Sequence, residues 1–117
     1  MNLEQIKNMV NAEVLTGEEF LDREVTRAFA SDLMSDVLAF GAGCDILITG
    51  LANAQAIRTA EMLDISTILF VRGKNLDEKM IELAKEKEFV VMNTKSLMYS
   101  TCGILYAKGL EGVNNEG

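Results

Sequence analysis

Three short segments carry residue types that can hold an anion: Thr49-Gly50-Leu51-Ala52-Asn53, Arg72-Gly73-Lys74-Asn75 and Asn93-Thr94-Lys95-Ser96. Each follows an apolar run of strand length and precedes a helical pattern. In an open parallel sheet the loops beyond the carboxyl ends of the strands gather at one edge, beside helix N-termini whose first N–H groups lack intrahelical partners. A phosphate or nucleotide placed there would meet N–H donors, hydroxyls and cations together. Thr49, Gly50, Asn53, Arg72, Gly73, Lys74, Asn93, Thr94 and Ser96 are therefore the expected ligand-binding set. A plainer role competes for the same residues, because Asn, Thr and Ser are the side chains that helix caps prefer. None of the three loops has the fixed glycine spacing of a phosphate loop or a dinucleotide fingerprint. Gly41-Ala42-Gly43 precedes its strand instead of following it, on the wrong side for that role.

Catalysis finds less support. The chain has no histidine, which removes most zinc sites, serine triads and cysteine–histidine dyads. A general base would then be a carboxylate or lysine with a strongly shifted pKa, whereas Glu18, Glu19, Asp22, Glu24, Glu86 and Glu88 read as surface charges. Cys44 follows a Gly-x-Gly turn with no base or cation beside it and reads as a small buried apolar residue; Cys102 falls mid-helix. Two distant cysteines without a CxxC pair form neither a disulfide framework nor the four ligands of an iron–sulfur cluster. The expectation is a non-enzyme with no metal and no cofactor, and phosphotransfer ranks last among the functions considered.

The 117 residues make one domain's worth of chain, since domains cluster at roughly 100–150 residues. A net charge of −7 weighs against nucleic acid and anionic membranes as partners. The amino terminus lacks the basic and apolar regions of a secretory signal, and no stretch approaches the about 18 apolar residues of a membrane span. A cytoplasmic location with reduced thiols is expected.

The elements that must position the loops follow from periodicity. Leu3, Ile6 and Val10 mark a first helix, Ala12 to Thr16 a short strand, and Val25 to Ala30 a second extended run. Ser31 reads as the N-cap of a helix that ends near Phe40 and Gly41, with Asp32 in its first turn. Strand-length runs at 45–49, 66–71 and 89–92 then alternate with helical patterns at 53–64 and 75–87, the latter opened by an Asn75/Glu78 capping box. Thr94 or Ser96 opens a last helix to about Lys108, and 111–117 reads as a flexible tail. This alternation predicts one α/β domain of three layers with a mainly parallel sheet and flanking helices, its core at about 12–109.

The last helix is apolar around most of its circumference. Leu97, Thr101 and Ile104 form one stripe, Met98, Cys102 and Leu105 another, and Tyr99 and Tyr106 extend the surface further. Such a helix needs cover on more than one side. Leu97, Met98, Thr101, Cys102, Leu105 and Tyr106 are the expected interface residues, with a second copy favoured and another protein as the alternative.

From Ala12 to Gly109 the chain resembles the DRTGG domain family. The resemblance is carried by Asn11-Ala-Glu-Val-Leu-Thr-Gly17, Ala30-Ser-Asp-Leu-Met-Ser-Asp-Val-Leu38, Ile48-Thr-Gly50 with Asn53, Gln55, Ile57 and Arg58, the Arg72-Gly73 turn, and Ile81-Glu-Leu-Ala84. No Asp-Arg pair follows Thr49-Gly50, and Val71-Arg72-Gly73 stands where the family can show Thr-Gly-Gly. The family is found between CBS-domain pairs of some inorganic pyrophosphatases, within phosphotransacetylases, and as stand-alone proteins of anaerobic bacteria. The resemblance implies a compact α/β fold similar to the N-terminal domain of HPr serine kinase, a regulatory module without chemistry of its own, and a contribution to dimer contacts. A non-catalytic homodimeric regulatory domain is thus the expected function, and a sensor of an adenine nucleotide or other phosphate ligand is the alternative.

Overall fold

Four-residue apolar strands with both faces covered are the centre of the molecule. In the computed structural model, which describes residues 1–73 and 75–113, every residue of Ile46–Thr49 and Thr67–Phe70 is buried. Side chains alternate along a strand, so these runs feed two separate cores. Leu47, Ile68, Phe70 and Val91 point to one side, and Ile46, Ile48, Leu69, Val90 and Met92 to the other.

The strands are β1 (Glu13–Thr16), β2 (Arg27–Ala30), β3 (Ile46–Thr49), β4 (Thr67–Phe70), β5 (Val90–Asn93) and β6 (Glu111–Gly112), in the order β1-β5-β4-β3-β2-β6. Neighbours pair in parallel, except that β1 runs antiparallel to β5. The helices are α1 (Leu3–Met9), α2 (Met34–Phe40), α3 (Ala54–Met62), α4 (Glu78–Glu86) and α5 (Met98–Ala107). Because β2 to β5 are laid down side by side in one direction, consistent crossover handedness keeps α2, α3 and α4 on one face. Met34, Val37, Ala56, Ile57, Ala60, Met80 and Ala84 form that helical layer of the core. Leu3 and Ile6 from α1, Val10 at its carboxyl cap and Leu105 from α5 cover the other face. The expected three-layer α/β architecture is the observed one. Two helices are left to cover a six-stranded sheet on the α1/α5 side, and the β2/β6 end of that face stays open.

Several element boundaries differ from the sequence expectation. α2 starts at Met34 with Leu33 in the cap position, so Ser31 is not the helix cap; its Oγ accepts from the Leu33 N–H at 3.0 Å, closing a turn before the helix. α4 starts at Glu78 and is capped by Asp77, which accepts from the Met80 N–H at 2.8 Å, in place of the expected Asn75 box. α5 starts at Met98, later than Thr94 or Ser96, because the Thr94 hydroxyl donates to the Val10 carbonyl at 2.8 Å and accepts from the Ser96 N–H at 3.2 Å. Asn53 does cap α3, accepting from the Gln55 N–H at 2.9 Å. Asn2 and Gln5 form a capping box on α1 that the sequence reading missed.

The tail expected from 111 onward begins instead as β6, paired in parallel with β2, and the Val113 N–H donates to the Ala28 carbonyl at 3.2 Å. Residues 114–117, and Lys74 of the expected ligand set, lie outside the described residues.

Candidate functional site

The three loops expected at the carboxyl edge of the sheet do come together. The Arg72 N–H donates to the Ser96 carbonyl and the Gly73 N–H to the Thr94 carbonyl, both at 2.9 Å, tying the loop after β4 to the loop after β5. Arg72 Nη2 donates to the Gly50 carbonyl at 2.9 Å, tying it to the loop after β3. Arg72 and Gly73 reach this arrangement through consecutive left-handed residues, φ +71° and +63°. Glycine adopts such a φ freely, whereas an arginine there is uncommon.

The donors expected to be free for a ligand are largely engaged within the chain. Asp32, just past the end of β2, accepts from the Gly50 N–H at 2.6 Å and from Thr49 Oγ1 at 3.4 Å, and its second oxygen lies 3.5 Å from Arg72 Nη2. Thr49 Oγ1 also accepts from the Leu51 N–H at 3.1 Å. Thr94 holds two loop contacts, and Asn53 serves its own helix. Asp32 is the residue the sequence reading placed wrongly, as a first-turn carboxylate of α2. Its signal was positional: it lies two residues past the end of β2, the strand beside β3, so its side chain reaches the residue after β3.

On the far side of the Arg72-Gly73 turn a polar cleft of about 480 Å³ opens between the α1–β1, β4–α4 and β5–α5 loops. Gly73, Asn93, Thr94 and Ser96 of the expected set line it, joined by Asn11, Glu13, Asn75 and Lys95. Among the described residues, the side chains of Asn11, Asn75 and Lys95 make no hydrogen bond or ion pair.

The second candidate surface belongs to α5. A groove of about 720 Å³ runs between α5 and the open β2/β6 end of the sheet, with Ala28, Ala30, Ile48 and Gly112 below and Tyr99, Gly103 and Tyr106 among the residues above. The expected interface residues divide here. Thr101 and Leu105 are buried against the sheet, Leu105 at the groove floor, so Thr101 offers no outer contact. Met98 and Cys102 are half-buried against the α1/α5 core, while Leu97 and Tyr106 are exposed. Tyr99, 90% exposed, is the largest part of the surface that the expected set omitted, with Ile104 and Gly103 beside it. Leu97, Thr101 and Ile104 do not act as one stripe: Thr101 is fully buried while Leu97 and Ile104 are exposed, because a helix apolar all round carries no pattern that says which side meets the sheet.

The thiols are poor nucleophiles. Burial, assisted by the neighbouring Asp45 carboxylate, pushes Cys44 up to about 11, and burial also raises Cys102, so neither is a thiolate near neutrality. Among the described residues no cluster of carboxylates and cysteines could hold a metal ion, and no helix is long and apolar enough to cross a membrane.

No curated protein matches this sequence. Among solved structures, the chain is similar to the CBS and DRTGG domains of the regulatory region of Clostridium perfringens pyrophosphatase, a structure complexed with the activator diadenosine tetraphosphate. The TM-score is 0.71 at 21% identity over 89% of this chain, which spans 45% of that one, a likeness of fold. The family profile of the DRTGG domain matches residues 5–107, nearly the whole described length. On that match and this fold, the chain belongs to the DRTGG domain family.

Proposed function

We propose that this chain is a non-catalytic regulatory module that works by contact, pairing with a second copy through the outer face of α5. The observation that carries the reading is the exposed Tyr99, Gly103 and Tyr106 face beside an apolar groove at an uncovered sheet end. Aromatic side chains dominate the buried centres of protein interfaces, and an apolar surface of this kind on a small domain is uncommon without a partner. The stripe is also nearly self-complementary. A twofold axis beside Cys102 and Gly103 would set Tyr99 of each copy near Tyr106 of the other, as an isologous interface requires, and Gly103 leaves room for close approach of the helices. A regulatory role is supported by the pyrophosphatase regulatory region that shares this fold.

Sedimentation velocity at micromolar concentration tests the pairing. Wild type is expected to sediment as a dimer, and Tyr99→Glu and Tyr106→Glu as folded monomers. A wild-type monomer, or a dimer indifferent to both charges, overturns the reading.

A second reading, a sensor of a small phosphate-bearing ligand such as an adenine nucleotide, is favoured by the polar cleft with its unengaged Asn11, Asn75 and Lys95 side chains. Ligand that binds only the native state raises thermal stability by mass action, so a nucleotide panel that leaves the melting temperature unchanged removes it.

A further inference from the structure

The carboxylate of Asp32 is held on one oxygen by two donors at the end of β3, the Gly50 N–H at 2.6 Å and the Thr49 hydroxyl at 3.4 Å, and on the other by an ion pair with the Arg72 guanidinium at 3.5 Å. A backbone N–H, a hydroxyl and a guanidinium gathered around one carboxylate are also the groups that bind a phosphate. We propose that these groups form an oxyanion-binding cradle whose resting occupant is the chain's own Asp32, and that the phosphate group of a small ligand binds by taking its place. The inference refines the phosphate-ligand reading by locating the anion, and its failure leaves binding in the polar cleft to be judged separately.

Three features of the fold support exchange over a permanent staple. The side chains of Asp32 and Arg72 are 48% and 44% exposed, so an ion reaches the cradle from solvent without the core opening. Asp32 lies in the turn before α2 and supplies no cap to that helix, so swinging it out costs no helical hydrogen bond. Thr49 and Gly50 are themselves buried and fixed by β3, which keeps the cradle in place when its occupant changes. Removing Asp32 would leave the Arg72 charge beside two donors with no protein anion among the described residues within ion-pairing distance.

An internal competitor lowers apparent affinity by the fraction of time the site is open. The test is a titration of ¹⁵N-labelled protein with inorganic phosphate, at ionic strength matched with chloride, following the Gly50 amide. Asp32→Ala is expected to give a saturable Gly50 shift with an affinity about tenfold or more above wild type, and Asp32→Ala/Arg72→Ala is expected to lose it. Asp32→Asn, which keeps the acceptor oxygen but not the charge, serves if the alanine variant misfolds. In wild type the amides of Ser31 and Leu33 should shift with Gly50 as Asp32 leaves. No saturable Gly50 shift in a folded Asp32 variant, or equal affinity with and without Arg72, overturns the cradle. Shifts confined to Asn75 and Ser96 amides overturn it too, while leaving the cleft as the ligand site.

Discussion

Arg72 and Gly50 are fitted to each other: a β-carbon placed on Gly50 would stand 2.5 Å from both Nε and Nη2 of Arg72. The guanidinium lies against the bare backbone of Gly50 and bonds its carbonyl at 2.9 Å. Gly50→Ala should therefore displace the half-exposed end of Arg72 and cost about 1 kcal/mol, the usual worth of the hydrogen bond that is lost. In an Arg72→Ala background the same substitution should cost under about 0.5 kcal/mol, because neighbours that share a contact are not additive. Urea unfolding of the four proteins measures the coupling. Equal costs in both backgrounds would place the strain somewhere other than Arg72.

This pair also shows what a sequence can and cannot convey. The strand-length apolar runs at 45–49, 66–71 and 89–92 announce strands buried on both faces, and helices of similar length between them announce parallel crossovers, so the layers were legible. The convergence of Gly50, Arg72 and Ser96 follows from that topology alone. What periodicity cannot supply is the lateral partner. Asp32 and Gly50 are 18 residues apart and meet only because β2 lies beside β3. The inward face of α5 was illegible for a different reason: apolar residues on all sides leave no stripe for a period to detect, and only the packed sheet decides that Thr101 and Leu105 turn inward.

The start of α4 gives a sharper contrast between neighbouring residues. Asn75 has the better sequence pattern, with Glu78 three residues on, yet Asp77 makes the bond to the Met80 N–H. Asp77→Ala should lower stability by about 1 kcal/mol, the usual cost of losing a cap. Asn75→Ala should change it by less than about 0.5 kcal/mol, as exposed substitutions without structural bonds do. Urea midpoints at unchanged slope decide the ranking. The reverse order would mean that the helix begins a turn earlier.

Asp45 makes the stability of the sheet depend on pH. Burial acts to raise its pKa, but the N–H groups of Thr26 and Arg27, the Thr26 hydroxyl and the Arg27 charge together outweigh burial and lower it below 3.8. Its Oδ2 accepts from the Thr26 N–H at 2.8 Å, the Arg27 N–H at 3.1 Å and Thr26 Oγ1 at 3.0 Å, joining the approach to β2 to the start of β3. A carboxylate whose folded pKa is depressed adds stability above its unfolded value, and that stability is lost as pH falls through the folded value. Asp45→Asn should accordingly be less stable than wild type at pH 7, by roughly 1 kcal/mol for charge-assisted bonds on a partly exposed group. The gap between the two stability curves should begin to close as pH falls below about 4, where the unfolded-state carboxyl takes up its proton, and should be gone once pH has passed the lower folded value. Hydrogen bonds stand ahead of the Arg27 charge in lowering the pKa, so most of the difference at neutral pH should survive about 0.5 M salt, which screens an exposed ion pair. Parallel curves down to about pH 2 would show that Asp45 acts through packing alone, because only a group that titrates differently in the two states can bend one curve against the other.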